Sequence, residues 1–563
     1  MSRYCTALIL LLLGSACSPL KPAPAYDLLI RNGAVYDGAG GPAQTLDIAI
    51  RNDRVVAHLE PGHSATARRE IDAANLAVAP GFINVLSWAV ESLIVDGRGL
   101  SDLKQGVTLE IFGEGWSMGP LNQAMKQERL AQQSDFHYAI EWTTLGEYLE
   151  FLEQRGVAMN VASFVGATTV RIHELGYADR APSASELKRM QALVDQAMHE
   201  GALGVGASLI YAPAFYADTP ELIALAQTAA AHGGGFVAHM RSESDHLEAA
   251  LDELLRIARA SGAHTEAYHL KAAGDSNWSR MASVIAAIEA ARSEGLSIAA
   301  NMYPYTAGAT GLDAAMPPWV QEGGVEAWIE RLRDPQIRQQ VLREMRAKPE
   351  DWESLYYHAG PDRTLFIGFD SPALKPLTGR TLAEVAAERG SSPEDTIIDL
   401  VIEDGSRVEV VYFLMSEENV RLGLSQPWVS IGSDAEASAP EGVFLQRSTH
   451  PRAYGSFARL LGLYARDQQL MSLSEAIRRL TRLPASNWQL TGRGCLDPGC
   501  YADVVVFDPA TIDDHASYTE PRAFASGVHH VIVNGEVVLR DGDPTGALPG
   551  RVVRGPGWDG ATD

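Results

Sequence analysis

The stretch PGFINVLSWAVESL, residues 80–93, opens on a Pro-Gly pair and runs on through mostly apolar residues. A strand buried on both faces reads as a nearly continuous apolar run rather than an alternation. Residues 80–86 are therefore read as an interior strand entered through a turn. In barrels built of such strands, chemistry collects at the carboxyl ends. Here that end delivers Leu86 and Trp88, neither of which can bind a metal.

Seven further apolar runs follow: GVTLEIFGE (106–114), VAMNVASFVG (157–166), ALGVGASLIY (202–211), GGFVAHM (234–240), HTEAYHLKAAG (264–274), LSIAANMYPY (296–305) and WVSIGSD (428–434). Most are separated by amphipathic stretches such as SASELKRMQALVDQAMHE (183–200) and TPELIALAQTAAAHG (219–233). Eight strands largely alternating with helices predict an α/β chain with a (β/α)8, TIM-like barrel over residues 80–490. An open doubly wound sheet is the competing fold, but no phosphate-binding glycine fingerprint follows an early strand. The clearest interruption lies between the seventh and eighth runs. There VEAWIERLRDPQIRQQVLREMRA (325–347) suggests a helical insertion at about 313–375, with another helix near 381–402.

The two ends read differently. YDLLIRNGAVYDGAG (26–40) and LDIAIRNDRVVAHLE (46–60) alternate around Asn-Gly and Asn-Asp turns, and so do YADVVVFDP (501–509) and VHHVIVNGEVVLRDG (528–542). Residues 27–79 plus 491–563 are expected to form one small β-sandwich from both termini. The leader has Arg3, an apolar run over 7–13 and Gly14-Ser15-Ala16 before Cys17, which reads as an export signal over 1–17 with a lipobox-like end. Residues 18–26 then form a linker. Lipidation at Cys17 is expected, with an ordinary cleaved signal as the alternative. Of the remaining cysteines, Cys495 and Cys500 flank a Pro-Gly turn and are either a disulfide or two free thiols. The formal net charge of −25 argues against a nucleic-acid partner.

The polar residues converge. The second run ends at Glu114, the fifth at His239, the sixth at His269 and the eighth at Asp434, which places all four on one barrel rim. Any one of them alone reads as structural.

The motifs APGFI, QGVT, GEGWSMGP, GASLIYAPA, AHMRSE, HLKAAG, YPYTAG, MSEENV, IGSDA, HPRAYGSFARLLG and PGCYADVVVFDP occur in this order. In them the chain resembles the amidohydrolase superfamily and, within it, the N-acyl-D-amino-acid deacylase (D-aminoacylase) family. Family members carry a His-x-His pair on the first strand, and here those positions are Leu86 and Trp88. The second-strand ligand, usually a cysteine, aligns with Glu114.

The resemblance implies one Zn2+ ion held by Glu114, His239 and His269, with another divalent ion as a possible substitute. With no strand-four lysine to form a bridging carbamate, a binuclear centre is not expected. Zinc in such a set can lower the pKa of water to about 7, and Asp434 is implied as the general acid/base. Arg452 is expected to grip a substrate carboxylate, while Lys271, Tyr211, Tyr303 and Tyr305 line the pocket. Arg241 is expected to orient neighbouring carboxylates, and Leu86 and Trp88 to fill the vacated corner. The plainer readings are a surface ion pair for Arg452 and core filling for the tyrosines.

The implied function is metal-dependent hydrolysis of a linear amide in a small N-acylated amino acid or peptide-like molecule. Cyclic-amide or dipeptide hydrolysis, and a non-catalytic envelope binding protein, are the alternatives. The expected location is the periplasm, with a lipid anchor in the outer membrane of a Gram-negative cell as the only membrane contact.

Overall fold

The computed structural model describes residues 25–560, so the expected signal segment with Cys17, and most of the linker, lie outside the described residues. From the N-terminal part come β1 (Tyr26–Val35), β2 (Gln44–Arg51), β3 (Arg54–Leu59), β4 (Ala67–Asp72) and β5 (Ala77–Pro80). Alternation around Asn32 and Asn52, both at positive φ, sets the turns of these strands.

The barrel begins at β6 (Phe82–Asn84) and continues with β7 (Val107–Phe112), β8 (Asn160–Ser163), β9 (Val165–Gly166), β10 (Gly204–Ser208), β11 (Gly235–His239), β12 (Thr265–Ala267) and β13 (Ile298–Met302). The run read as a single first strand is divided at Gly81, with β5 on one side in the terminal sheet and β6 on the other in the barrel. A Cβ at Gly81 would lie 2.2 Å from the Thr108 side chain, so only glycine lets the chain cross between the two. Helices form where the apolar residues recur at helical spacing. Ala184–His199 starts with a capping box between Ser183 and Glu186, and Thr219–Ala231 with Asp218 at its N-cap.

After β13 the chain leaves the barrel for β14 (Ala307–Gly311), β15 (Thr364–Gly368) and β16 (Glu409–Phe413), an antiparallel sheet in the order β14-β16-β15. The insertion therefore exceeds the expected 313–375. It has its own apolar core, with Trp328, Leu332, Val341, Phe366, Ile397, Val401 and Tyr412 buried together. Its first strand escapes sequence reading because AGATG, the stretch of β14, carries neither alternation nor large apolar residues.

The chain re-enters the barrel at β17 (Val429–Ile431). All barrel pairings are parallel. β8 and β9 act as one strand interrupted at Phe164, whose N–H donates to Phe112 O at 2.9 Å. The ring closes where Ser87, just past β6, bridges Ala435, just past β17, in parallel register.

The C-terminal segment adds β18 (Val504–Phe507), β19 (Val528–Val533), β20 (Glu536–Arg540) and β21 (Asp543–Pro544) to the N-terminal strands. The result is a single nine-stranded sheet joined through the β5–β18 pair, rather than two separate sheets. β18 serves two cores by strict alternation: Val504 and Val506 pack with Ile30 and Ile48, and Val505 and Phe507 pack with Phe82. Cys495 and Cys500 are joined as a disulfide. No described helix is long and apolar enough to cross a membrane.

Candidate metal centre and active site

Glu114 follows β7 between two glycines at positive φ, 107° for Gly113 and 72° for Gly115. A Cβ on Gly113 would lie 2.4 Å from Phe164 O, so the FGEG sequence is what lets the carboxylate stand at the rim. His239 closes β11. His269 lies two residues beyond β12 at φ 33°, its N–H donating to Asn301 Oδ1 at 2.9 Å. Asp434 lies three residues beyond β17 at φ 50°, its N–H donating to Leu86 O at 2.8 Å. Non-glycine residues held at positive φ store strain, and such strain concentrates at functional sites.

These rim positions bring the expected ligands together. Glu114 Oε1 lies 3.2 Å from His239 Nδ1 and 2.9 Å from His269 Nε2. The three donor atoms fall within 4.8 Å of one another, and all three residues are buried. The far side of each ring meets a residue the sequence analysis passed over, Glu243, at 2.9 Å from His269 Nδ1 and 3.4 Å from His239 Nε2. A carboxylate that accepts from the outer nitrogen leaves the inner lone pair free for a metal. Glu243 makes that hydrogen bond to His269 alone, since the outer Nε2 of His239 is buried without one, and the Glu-His-His set has the donor chemistry of a zinc site with room for a further ligand. The only sequence signal for Glu243 is its place four residues after His239 in AHMRSE, which does not encode its contact with the second ring.

The electrostatics follow from these contacts. Burial by itself pushes the Glu114 carboxyl up, but the two imidazoles, His269 foremost, hold it well below the usual carboxylate range. Glu243 is likewise held low, against its burial, by His239, Lys271 and His269. Burial and the Lys271 charge push the His269 ring down, yet Glu243 and Glu114 outweigh them and raise it to about 9. Asp434 moves the other way. Burial raises its carboxyl, Arg452 opposes the rise and the Glu114 charge adds to it.

Arg452 Nη1 lies 2.8 Å from Asp434 Oδ2, and its guanidinium sits over the Tyr303 ring at 4.6 Å. Its Nε is buried without an acceptor among the described residues. Tyr211 stands edge-on to His239 at 5.4 Å and donates to Thr310 Oγ1 at 2.8 Å.

Three expected positions make contacts the sequence does not announce. The Lys271 ammonium is held by both Glu243 oxygens at 2.7 Å and completes the support of the imidazoles, while the residue also borders the small cavity at His269. Tyr305 donates to Asp514 Oδ2 at 2.8 Å and braces the C-terminal segment, although its ring borders the small cavity behind His269. Arg241 does not reach the site carboxylates; it pairs with Glu253 at 2.8 Å and donates to Phe215 O and Ala217 O, pinning the loop after β10. Trp88, expected only to fill space, acts as a donor: Nε1 is 3.0 Å from Glu114 Oε2 and 3.1 Å from Asp434 Oδ1.

Two predictions follow from this geometry. Glu243→Gln lowers zinc affinity about 10- to 100-fold, measured by competition with a chromophoric chelator, because the His269 ring loses the charged acceptor that aims it. In the same assay, wild-type zinc affinity falls about tenfold per pH unit below about 9, since His269 must release its ring proton to bind. An affinity independent of pH contradicts this.

The sequence profile of the amidohydrolase family matches residues 104–539. D-aminoacylase of Alcaligenes xylosoxydans xylosoxydans is 33% identical over 533 residues, 94% of this chain and 97% of that protein. A solved D-aminoacylase structure superposes with a TM-score of 0.78 at 32% identity, over 94% of this chain and 100% of the other. That work concerns a binuclear metal centre with one-metal activation and second-metal attenuation. N-acyl-D-glutamate deacylase from Bordetella bronchiseptica was solved with zinc and a phosphonate mimic of the tetrahedral intermediate. It gives a TM-score of 0.77 at 30% identity, over 94% of this chain and 99% of the other. With the profile match, the whole-length identity and the shared fold in agreement, the chain belongs to the amidohydrolase family, in its D-aminoacylase branch.

Proposed function

We propose that the protein is an N-acyl-D-amino-acid deacylase that hydrolyses a linear amide with one zinc ion per chain. The observation that carries this reading is the convergence of Glu114, His239 and His269 beside the Arg452-paired Asp434. Glu114, His239 and His269 would hold the ion. When bound, it supplies Lewis-acid activation of a water and of the amide carbonyl.

The chain's own residues do the rest. Burial raises the Asp434 carboxyl toward the range of a group that both takes and returns a proton. Asp434 takes the proton of the attacking water and delivers it to the leaving amine nitrogen. Arg452, whose Nε has no acceptor among the described residues, offers a donor for the substrate carboxylate. Tyr303 and Tyr211 flank the rings of His269 and His239 and exclude water on either side. Glu114, Glu243 and Asp434 face Lys271, Arg452 and a divalent ion, so the filled site carries one surplus positive charge and favours a carboxylate-bearing substrate.

Zinc-loaded protein is expected to hydrolyse N-acyl-D-amino acids in preference to their L-isomers, read by release of the free amino acid. Asp434→Asn is expected to lower kcat by about 10²- to 10⁴-fold while keeping its zinc. Turnover of cyclic amides alone contradicts the assignment.

For location, the leader supports an exported protein anchored through a lipid at Cys17 in the outer membrane, and the Cys495–Cys500 disulfide suits an oxidising compartment. Cys17→Ser is expected to move the protein from the membrane fraction to the soluble periplasm. Retention in the membrane fraction contradicts the anchor.

A further inference from the structure

We propose that the Trp88 indole occupies the seat of a second cation: its N–H bridges Glu114 and Asp434 and keeps ligand and proton carrier in register around a single ion. The inference rests on the deacylase reading for its kinetic part only.

Two carboxylates that face each other in a buried site repel strongly unless something positive lies between them. Glu114 is 4% exposed and Asp434 8%. The group between them is the indole N–H, 3.0 Å from one and 3.1 Å from the other. An indole nitrogen is a donor only. It therefore bridges the two oxygens without titrating, and a chelator cannot remove it.

The seat is rigid because both sides belong to the seam that closes the barrel. The Trp88 backbone N–H donates to Ala435 O at 2.9 Å, and the Asp434 N–H donates to Leu86 O at 2.8 Å. One register thus fixes the indole, the carboxylate it serves and the strand ends that carry both.

Leu86 completes the exclusion. It is buried with Val85, Ile111, Phe164 and Tyr268, and offers no donor to a metal. The packing against β17's exit is tight, since a Cβ on Gly432 would lie 2.6 Å from that of Leu86. Among the described residues, the other groupings of potential ligands are a surface set, Asp195-His199-His232, and a set containing the disulfide-bonded cysteines. Neither adjoins Asp434. The D-aminoacylase with a binuclear centre is attenuated by its second metal. In this chain a fixed donor bridges Glu114 and Asp434, the two carboxylates a second ion would need, so excess metal leaves the centre mononuclear and active.

The test counts zinc per chain by elemental analysis after equilibration with excess zinc and gel filtration, alongside kcat and KM on an N-acyl-D-amino acid. Wild type saturates at one ion and keeps its activity in excess zinc. Trp88→Phe retains one ion, its kcat falls about 10- to 100-fold and its KM stays nearly constant, as expected for a lost hydrogen bond to charged groups that act on the reaction. Leu86→His/Trp88→His takes up a second ion and loses activity as it does so.

Two ions in wild type, an unchanged kcat in Trp88→Phe, or a double variant that stays at one ion each overturns the proposal. Should no N-acyl-D-amino acid be turned over, the deacylase reading fails, while the zinc counts of wild type and double variant still decide who holds the seat.

Discussion

The buried carboxylate of Glu114 is the hinge on which the site turns. One oxygen faces two imidazoles and the other faces an indole N–H, so a charge that would be costly to bury alone is satisfied on every side. That satisfaction demands three strand ends in register. β7 must deliver Glu114 between two glycines, β11 must end at His239 and β12 two residues before His269, and the β6–β17 seam must seat Trp88 beside Asp434. A closed ring of parallel strands supplies this convergence, because its carboxyl ends share one face. Glu243 and Lys271 then hold the outer edges of the imidazoles, so the ligand set is organised before any ion arrives.

The insertion completes the enclosure. Its β14 supplies Ala309 O to the Arg452 guanidinium, Ala307 O to His450 and Thr310 to Tyr211. The residues that would meet a substrate are thereby covered by a segment with its own core. Substrate choice can then vary through the insertion while the metal ligands stay on the barrel. With a divalent ion bound, the local balance of charge would favour an anionic substrate although the chain as a whole carries −25.

Much of this was legible in the sequence. The eight apolar runs each correspond to a barrel strand, and the four polar residues at their ends meet at one rim, because strand direction alone fixes which end faces the site. Both termini contribute strands, as their alternation implies, but these join in one nine-stranded sheet instead of the expected sandwich. What escaped has physical reasons. The first strand of the insertion, AGATG, carries no periodic signal. Arg241 sits one residue from a rim turn, and nothing in its neighbours tells which way a long side chain reaches; it reached Glu253. Glu243 lies four residues past His239 in chain order, yet its role depends on two rings from different strands, a relation no local pattern encodes. Trp88 was legible as a filler of space but not as a hydrogen-bond donor, since donation depends on the carboxylates that the fold sets beside it.

The most direct measurement is a crystal structure of the zinc-loaded protein with anomalous difference maps collected on both sides of the zinc edge. A lone peak bounded by Glu114, His239 and His269, with the Trp88 nitrogen still spanning the two carboxylates, is the predicted result. A peak held by other side chains, or a pair of peaks that displaces the indole, would contradict it.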